Sequence, residues 1–263
     1  DSVCLLHLLR SLSFRNIRIA HLNHQIRKDS SKDLRLVKQL ARQMGLPVSS
    51  KTLNIPKLKL RNKDNQEALA RDLRYAFFRS LKKKYRTKVI VTAHHANDQA
   101  ETVLMNLVRG CGLEGLRGMK TLDGDLWRPL LSVSKKDLLA YCRKNKISFR
   151  EDSTNADPAY RRNYLRLKII PKLLKLNPRF LENLNRSTQI WSAAAEALEG
   201  SAKDFLQRHR SLRHRYDLPA FMQLQEAEQQ AVLRKLFEMI HGSKKNLYSS
   251  HLNQLLRVLN TPV

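Results

Sequence analysis

The residues best equipped for chemistry in this chain are His94-His95-Ala96-Asn97-Asp98-Gln99-Ala100-Glu101-Thr102. Imidazoles and carboxylates side by side exchange protons, hold amines or face phosphates. In its plainest form the segment is a helix start. Asn97 then caps it, and Asp98 and Glu101 occupy the first turn, where acid is favoured. Two adjacent histidines exceed what a cap requires. As metal ligands, His94, His95 and Asp98 lack a further spaced donor.

Three other segments carry similar groups. His21-Leu22-Asn23-His24-Gln25-Ile26-Arg27 follows an apolar run. Glu67, Arg71 and Arg74 fall at i, i+4 and i+7 on one helix face, a spacing that also fits an ordinary ion pair worth about a few tenths of a kcal/mol. Glu151-Asp152-Ser153-Thr154-Asn155 precedes Tyr160-Arg161-Arg162-Asn163-Tyr164-Leu165-Arg166. That reads either as a loop and helix cap or as arginines ordered by carboxylates, suited to phosphates.

The elements that must position these residues alternate. Strands are predicted at 17–22, at 47–55 and, nearly all apolar, at 88–93; helices at 30–44, 65–84 and 98–109. Ala68, Leu69, Leu73, Ala76 and Phe77 form the apolar stripe of the second helix. The continuously apolar third strand fits a sheet covered on both faces. Strand–helix alternation gives a doubly wound α/β fold with parallel strands and right-handed crossovers. In such sheets ligands bind at the carboxyl ends of strands, where the histidine segments fall. Beyond Pro171 strands stop, and 178–200, 201–212, 220–241 and 246–260 read as helices of a separate module.

Composition narrows the partners. The 263 residues carry 50 Lys+Arg against 23 Asp+Glu, a charge of +27. Residues 1–150 hold 32 basic and 12 acidic residues, hence +20. Such an excess calls for a polyanion. The clusters Lys82-Lys83-Lys84-Tyr85-Arg86 and Arg208-His209-Arg210 through Arg213-His214-Arg215 stand out. Aromatic content is 6%, too sparse for a base-stacking platform. Cys4, Cys111 and Cys142 are scattered, which argues against a disulfide framework or a Cys₄ metal site and favours a reducing cytoplasm. No apolar run approaches the roughly 20 residues of a membrane span.

Taken together, the segments resemble the tRNA(Ile)-lysidine synthases of the N-type ATP pyrophosphatase superfamily. The matching stretches are His21-x-Asn23-His24-x-x-Arg27, Glu67-x-x-Ala70-Arg71-x-x-Arg74-Tyr75, and Ala93-His94-His95-x-x-Asp98-Gln99-Ala100-Glu101-Thr102 with Arg109-Gly110-Cys111-Gly112-Leu113-x-Gly115-Leu116-x-Gly118-Met119. Arg128-Pro129-Leu130-Leu131, Asp152-Ser153-Thr154-Asn155 and Arg162-Asn163-x-x-Arg166 complete the set.

The resemblance implies a Rossmann-like catalytic domain of the ATP pyrophosphatase type over 1–176, followed by an all-helical tRNA-binding domain over 177–263. It implies that ATP adenylylates the wobble cytidine of an isoleucine tRNA and that L-lysine then displaces AMP. Asp1, Ser2, His21, Asn23, His24, His94 and His95 would face ATP, and Asp1 its Mg²⁺. Asp98, then Glu101 and Asp1, would be catalytic; Asp98 and Glu67 would hold lysine. Arg71, Arg74, Arg128, Arg162 and Arg166 would hold phosphates or the cytidine nucleotide. A cytoplasmic enzyme is implied, and a homodimer is the assembly this leaves open.

The family's phosphate loop reads Ser-Gly-Gly-x-Asp-Ser, and this chain opens at Asp1-Ser2. The expectation is that a short apolar strand and Ser-Gly-Gly-x precede Asp1. That strand would hold 17–22 and 88–93 about 9–10 Å apart, twice the usual strand spacing. Direct pairing of the two would overturn the strand order. Two other readings share the charge: a tRNA thiolase of the same superfamily, which scattered cysteines disfavour, and a non-catalytic RNA-binding protein. The charge also makes a prediction. Affinity for tRNA should fall more than about tenfold between 50 and 200 mM salt, because many phosphate contacts release counterions; a smaller change in a filter-binding titration removes the charge argument.

Overall fold

The computed structural model describes residues 1–25, 30–54, 63–150, 157–209, 216–242, 247 and 249–259, with backbone only at 63–67 and 249. The chain divides into two compact units: Asp1–Glu101 with Lys120–Glu182, and Thr102–Met119 with Asn183–Val263. Residues 102–119 thus group with the helical unit, and the first unit runs six residues past the expected 176.

In the first unit, α1 (Ser2–Ser11) leads to β1 (Ile19–Asn23), α2 (Ser30–Gln43), β2 (Val48–Thr52), α3 (Lys63–Tyr85) and β3 (Ile90–Val91). Then α4 (Ala96–Val108) begins, and it ends in the second unit beside α5 (Leu113–Leu116). Back in the first unit come β4 (Leu122–Asp123), β5 (Leu126–Trp127), α6 (Lys135–Lys144), α7 (Arg161–Tyr164) and α8 (Ile170–Leu176). β1 and β2 pair in parallel from Ile19 with Val48 to Asn23 with Thr52. β3 pairs in parallel with β5, and β4 closes antiparallel on β5. Direct pairing of β1 with β3 is not found among the described residues.

The apolar core lies under α1 and α6. Cys4, Leu5 and Leu9 meet Leu130, Leu138, Cys142 and Ile147. Helix α6 went unread in the sequence, although Ser134-x-x-Asp137 signals its start. The Ser134 hydroxyl accepts from the Asp137 N–H at 3.1 Å and donates to the Asp137 carboxylate at 2.6 Å.

Three expectations are corrected. The third strand is two residues long and half-buried rather than a covered run over 88–93. Its partner is the short β4–β5 hairpin, so the ladder ends where Thr92 N–H reaches the Trp127 carbonyl. On α3, Ala68 and Ala76 are exposed and Ala70 and Tyr75 are buried. Alanine has too little apolar area to fix which face turns inward. Residues 180–208 form one helix, α9 (Phe180–Arg208), with no break at Gly200. A helical glycine costs about 1 kcal/mol, and burial of Ala202, Phe205 and Leu206 just beyond it outweighs that.

The second unit adds α10 (Leu218–Met222), α11 (Glu226–His241) and α12 (Ser249–Leu259). Phe205, Leu206, Phe221, Val232 and Leu256 form its core. Gly115 marks a close approach, since a Cβ there would lie 2.4 Å from that of Cys111.

Leu138, 2% exposed in the first core, supplies a test. Leu138→Ala should lower unfolding free energy by about 2–5 kcal/mol in urea, against about 0.5 kcal/mol or less for the exposed Leu122→Ala; equal effects would misplace the core.

Candidate active site

Three helices of the first unit aim their N-termini at one spot. Asp1 stands before α1, His95 before α4 and Ser134 before α6. Four contacts tie these ends together. Ala96 N–H donates to the Val133 carbonyl at 2.9 Å, and Lys135 N–H to Asn97 Oδ1 at 2.9 Å. Lys135 Nζ donates to Asp1 Oδ1 at 2.6 Å. His95 Nε2 lies 3.5 Å from Asp1 Oδ2. No side chain caps the first turn of α1. Each helix start carries about half a positive charge and unpaired N–H donors, so their convergence favours an anion.

The cap of α4 differs from the expected one. His95 N–H donates to Asp98 Oδ2 at 3.0 Å, and Asp98 N–H to His95 Nδ1 at 3.4 Å. This reciprocal cap frees Asn97 to bind α6. Lys135, which the sequence reading missed, enters the site because α6 does.

Burial dominates the histidines. It pushes His94 down to about 4, with Asp98 opposing and Arg128, Arg71 and Arg74 reinforcing. His24 is likewise pushed to about 4, by burial first and then by Arg74 and His21. His21 and His95 are lowered by burial as well. All four rings are therefore neutral near pH 7, and the contacts of His95 with Asp1 and Asp98 are those of a neutral imidazole. His94 Nδ1 lies 2.8 Å from Thr92 Oγ1. Asn23 is buried at the end of β1, where its side chain accepts from Gln25 N–H.

Arginines surround these rings. Arg128 is 3% exposed. It donates to the Lys120 carbonyl at 2.7 Å and lies 3.6 Å from Asp123, while its Nε has no partner. His24 Nδ1 and the Tyr75 hydroxyl are also buried without partners. Arg71 and Arg74 flank the Tyr75 ring at 5.7 and 5.9 Å. Glu101, entirely buried, binds Arg166 at 2.6 Å and Arg162 at 3.1 Å; Arg166 lies 3.7 Å from Asp98. Between Arg162 and α8 the helix widens into a π turn over Leu165–Ile169. Pro171 follows; it has no N–H to give the carbonyl of Leu167, and its ring crowds that carbonyl.

Asp1, Asp98, Glu101, His94 and His95 thus belong to one cluster of contacts with Lys135, Arg162 and Arg166. Arg71, Arg74 and Arg128 act on it electrostatically through His94. Ser2 opens α1 beside Asp1. His21, Asn23 and His24 lie on or just after β1, and Arg74 links them to the cluster through its field on His24. Arg27, the Glu67 side chain, Glu151–Asn155 and Arg210–Arg215 lie outside the described residues. Among those described, no three His, Cys, Asp or Glu side chains group as metal ligands. Cys4 and Cys142 share the apolar core, and Cys111 belongs to the second unit. No described helix is long and apolar enough to cross a membrane.

A parallel α/β sheet with an anion site at converging helix starts is the pattern of a nucleotide-binding domain, and the comparisons make the class definite. The PP-loop domain family, a family of ATP-binding domains, matches residues 1–173, and the chain belongs to it. Curated relatives named tRNA(Ile)-lysidine synthase are similar. That of Clostridium acetobutylicum is 36% identical over 77% of this chain and 45% of its own length. That of Caldanaerobacter subterraneus subsp. tengcongensis is 30% identical over 100% of this chain and 58% of its own, and that of Thermotoga maritima 34% over 80% and 51%. The chain therefore spans about half the length of the curated relatives it matches. Among solved structures, a U34-tRNA thiolase from Methanococcus maripaludis with its [4Fe-4S] cluster superposes with a TM-score of 0.59 at 15% identity, covering 72% of this chain and 67% of that one. That likeness is one of fold.

The depressed histidines make stability pH-dependent with a definite sign. His24 and His94 titrate near 4 when folded and near 6.5 when unfolded. Between those values the unfolded chain binds more protons, so their contribution is full above about pH 6.5 and is lost as pH falls toward about 4. The melting temperature should drop across that window, and more gently in His94→Gln. Parallel curves for the two proteins would mean that His94 is not held neutral by burial.

Proposed function

We propose that this chain is the ATP-using part, with adjoining helices, of an enzyme that joins L-lysine to the wobble cytidine of an isoleucine tRNA. The observation that carries the reading is Asp98. It stands at the joint of converging helix starts, one helical turn from an arginine-bound glutamate. The relatives' names supply the substrates, and the +27 charge suits a tRNA.

In the first step the cytidine carbonyl oxygen bonds to the α-phosphorus of ATP, and pyrophosphate leaves. The N-termini of α1, α4 and α6, with Lys135, stabilise the leaving charge. Mg²⁺ bound to nucleotide phosphates takes only one or two protein carboxylates. Asp1, partly exposed beside those helix starts, fits as one such ligand. When bound, the ion would neutralise phosphate charge. Neutral His24 and His94 and buried Asn23 offer uncharged hydrogen bonds to the nucleoside. Arg71, Arg74 and Arg128 hold phosphates or the cytidine nucleotide.

In the second step the lysine amine must lose a proton before its nitrogen attacks the ring carbon and AMP departs with the oxygen. Asp98 binds the ammonium and helps that loss; Glu67 is a further lysine ligand in this reading. Arg208 and His209 begin a basic stretch of the helical unit that contacts tRNA away from the anticodon. The setting is cytoplasmic, and a homodimer is compatible with it.

Asp98→Asn in the full-length protein should leave tRNA affinity within about threefold and abolish ATP-dependent incorporation of labelled lysine into tRNA. Near wild-type incorporation would remove Asp98 from the chemistry. No incorporation by the unmutated full-length protein would favour a thiolase or a non-catalytic RNA binder.

A further inference from the structure

Glu101 lies one turn beyond Asp98 on α4, and its carboxylate is the most buried charged group in the cluster. Arg166 Nε donates to its Oε1 at 2.6 Å and Arg166 Nη2 to its Oε2 at 3.0 Å. Arg162 Nε donates to the same Oε2 at 3.1 Å. The acid is 0% exposed, whereas the arginine side chains are 24% and 32% exposed. The anion is thus the dry back of the assembly, and the cations are its open front.

A single bidentate guanidinium satisfies a carboxylate, so the second arginine adds charge that Glu101 does not balance. Asp98 lies 3.7 Å from Arg166, beyond hydrogen-bond range, and its Oδ2 already accepts from His95 N–H. The arginines come four residues apart on one helix face. The π turn starts within their own segment, at Leu165, and such turns collect at functional sites. A carboxylate placed only for stability gains little from such an arrangement, because burying an ion pair recovers little net energy.

We propose that Glu101 is a positioning residue that locks Arg162 and Arg166 side by side as a two-guanidinium grip for one phosphate group. The phosphate is either one of the nucleotide or one of the RNA backbone. This rests on the site being an ATP and RNA site, and binding is read without chemistry, so failure to form lysidine does not decide it.

The experiment measures ATP affinity, tRNA affinity at fixed salt and the KM for lysine in the full-length protein, for Glu101→Gln, Arg162→Gln and the double variant. Both single variants should weaken binding of one phosphate-bearing ligand at least about tenfold, with lysine KM unchanged. Loss confined to ATP identifies the nucleotide phosphate, and loss confined to tRNA the RNA backbone. The double variant should be no weaker than the worse single one, because the two residues act as a unit. If Glu101→Gln fails to fold, Arg162→Gln alone decides, its side chain being partly exposed. The proposal is overturned if lysine KM rises while both affinities hold, which makes Glu101 an amine ligand. It is equally overturned if the effects are additive, if Arg162→Gln binds both ligands normally, or if all parameters fall only with the folded fraction.

Discussion

The arrangement depends on holding three helix starts together. Helix N-termini carry partial positive charge and repel when brought close. Here Asp1 sits between two of them, bonded to Lys135 of α6 and facing His95 of α4. Asn97 binds the third junction, donating no charge but accepting the Lys135 N–H. Apolar packing of α1 on α6 fixes the spacing from below. The site is therefore an electrostatic compromise imposed by the core: packing brings the dipoles together, and one carboxylate makes the approach tolerable. An anionic substrate arriving there meets donors already aligned, without reorganisation.

The histidines follow from the same excess of positive field. A protonated imidazole beside Arg71, Arg74 and Arg128 would add to it, and burial removes the water that might screen it. Neutral rings are the consistent answer, and they keep donor and acceptor functions. Sharp division of labour results. Arginine and lysine supply charge for phosphates, the histidines supply uncharged polarity, and Asp98 is the carboxylate that meets both His95 and Arg166. A lysine ammonium approaching Asp98 would be repelled by the surrounding cations unless it shed its proton, so the positive field itself assists the deprotonation that attack requires.

Much of this was legible in the sequence, for reasons that can be named. His94 to Thr102 stood out because it packs polar groups at a strand-to-helix junction, and that local motif survives folding. The parallel pairing of β1 with β2 followed from strand–helix alternation. Lys135 and the Asn97 cross-link were not legible, since they depend on α6, whose short amphipathic pattern lies among lysines. Asn97 was read as a cap because asparagine is a frequent one; His95 took that place because its ring nitrogen reaches the third residue of the helix. The exposed alanines of α3 and the unbroken α9 show the limits of composition. Alanine and glycine carry little side-chain energy, so distant contacts decide their surroundings.

The buried atoms without partners bear on stability as well as recognition. Arg128 Nε, His24 Nδ1 and the Tyr75 hydroxyl make no hydrogen bond, and each such deficit costs about 1–3 kcal/mol. Against a total stability of about 5–15 kcal/mol, three deficits in one unit are a heavy load. Apolar replacements would relieve it. Yet Arg128 stays charged in a nearly dry position, with Asp123 at 3.6 Å as its carboxylate. A guanidinium kept there at such cost, beside a neutral histidine and two further arginines, is aimed at an anion rather than at the core. The same logic governs Glu101, whose burial is tolerable only because two arginines meet it. Stability in this unit is set by what the site must hold, and the apolar contacts of α1 and α6 supply the surplus that permits it.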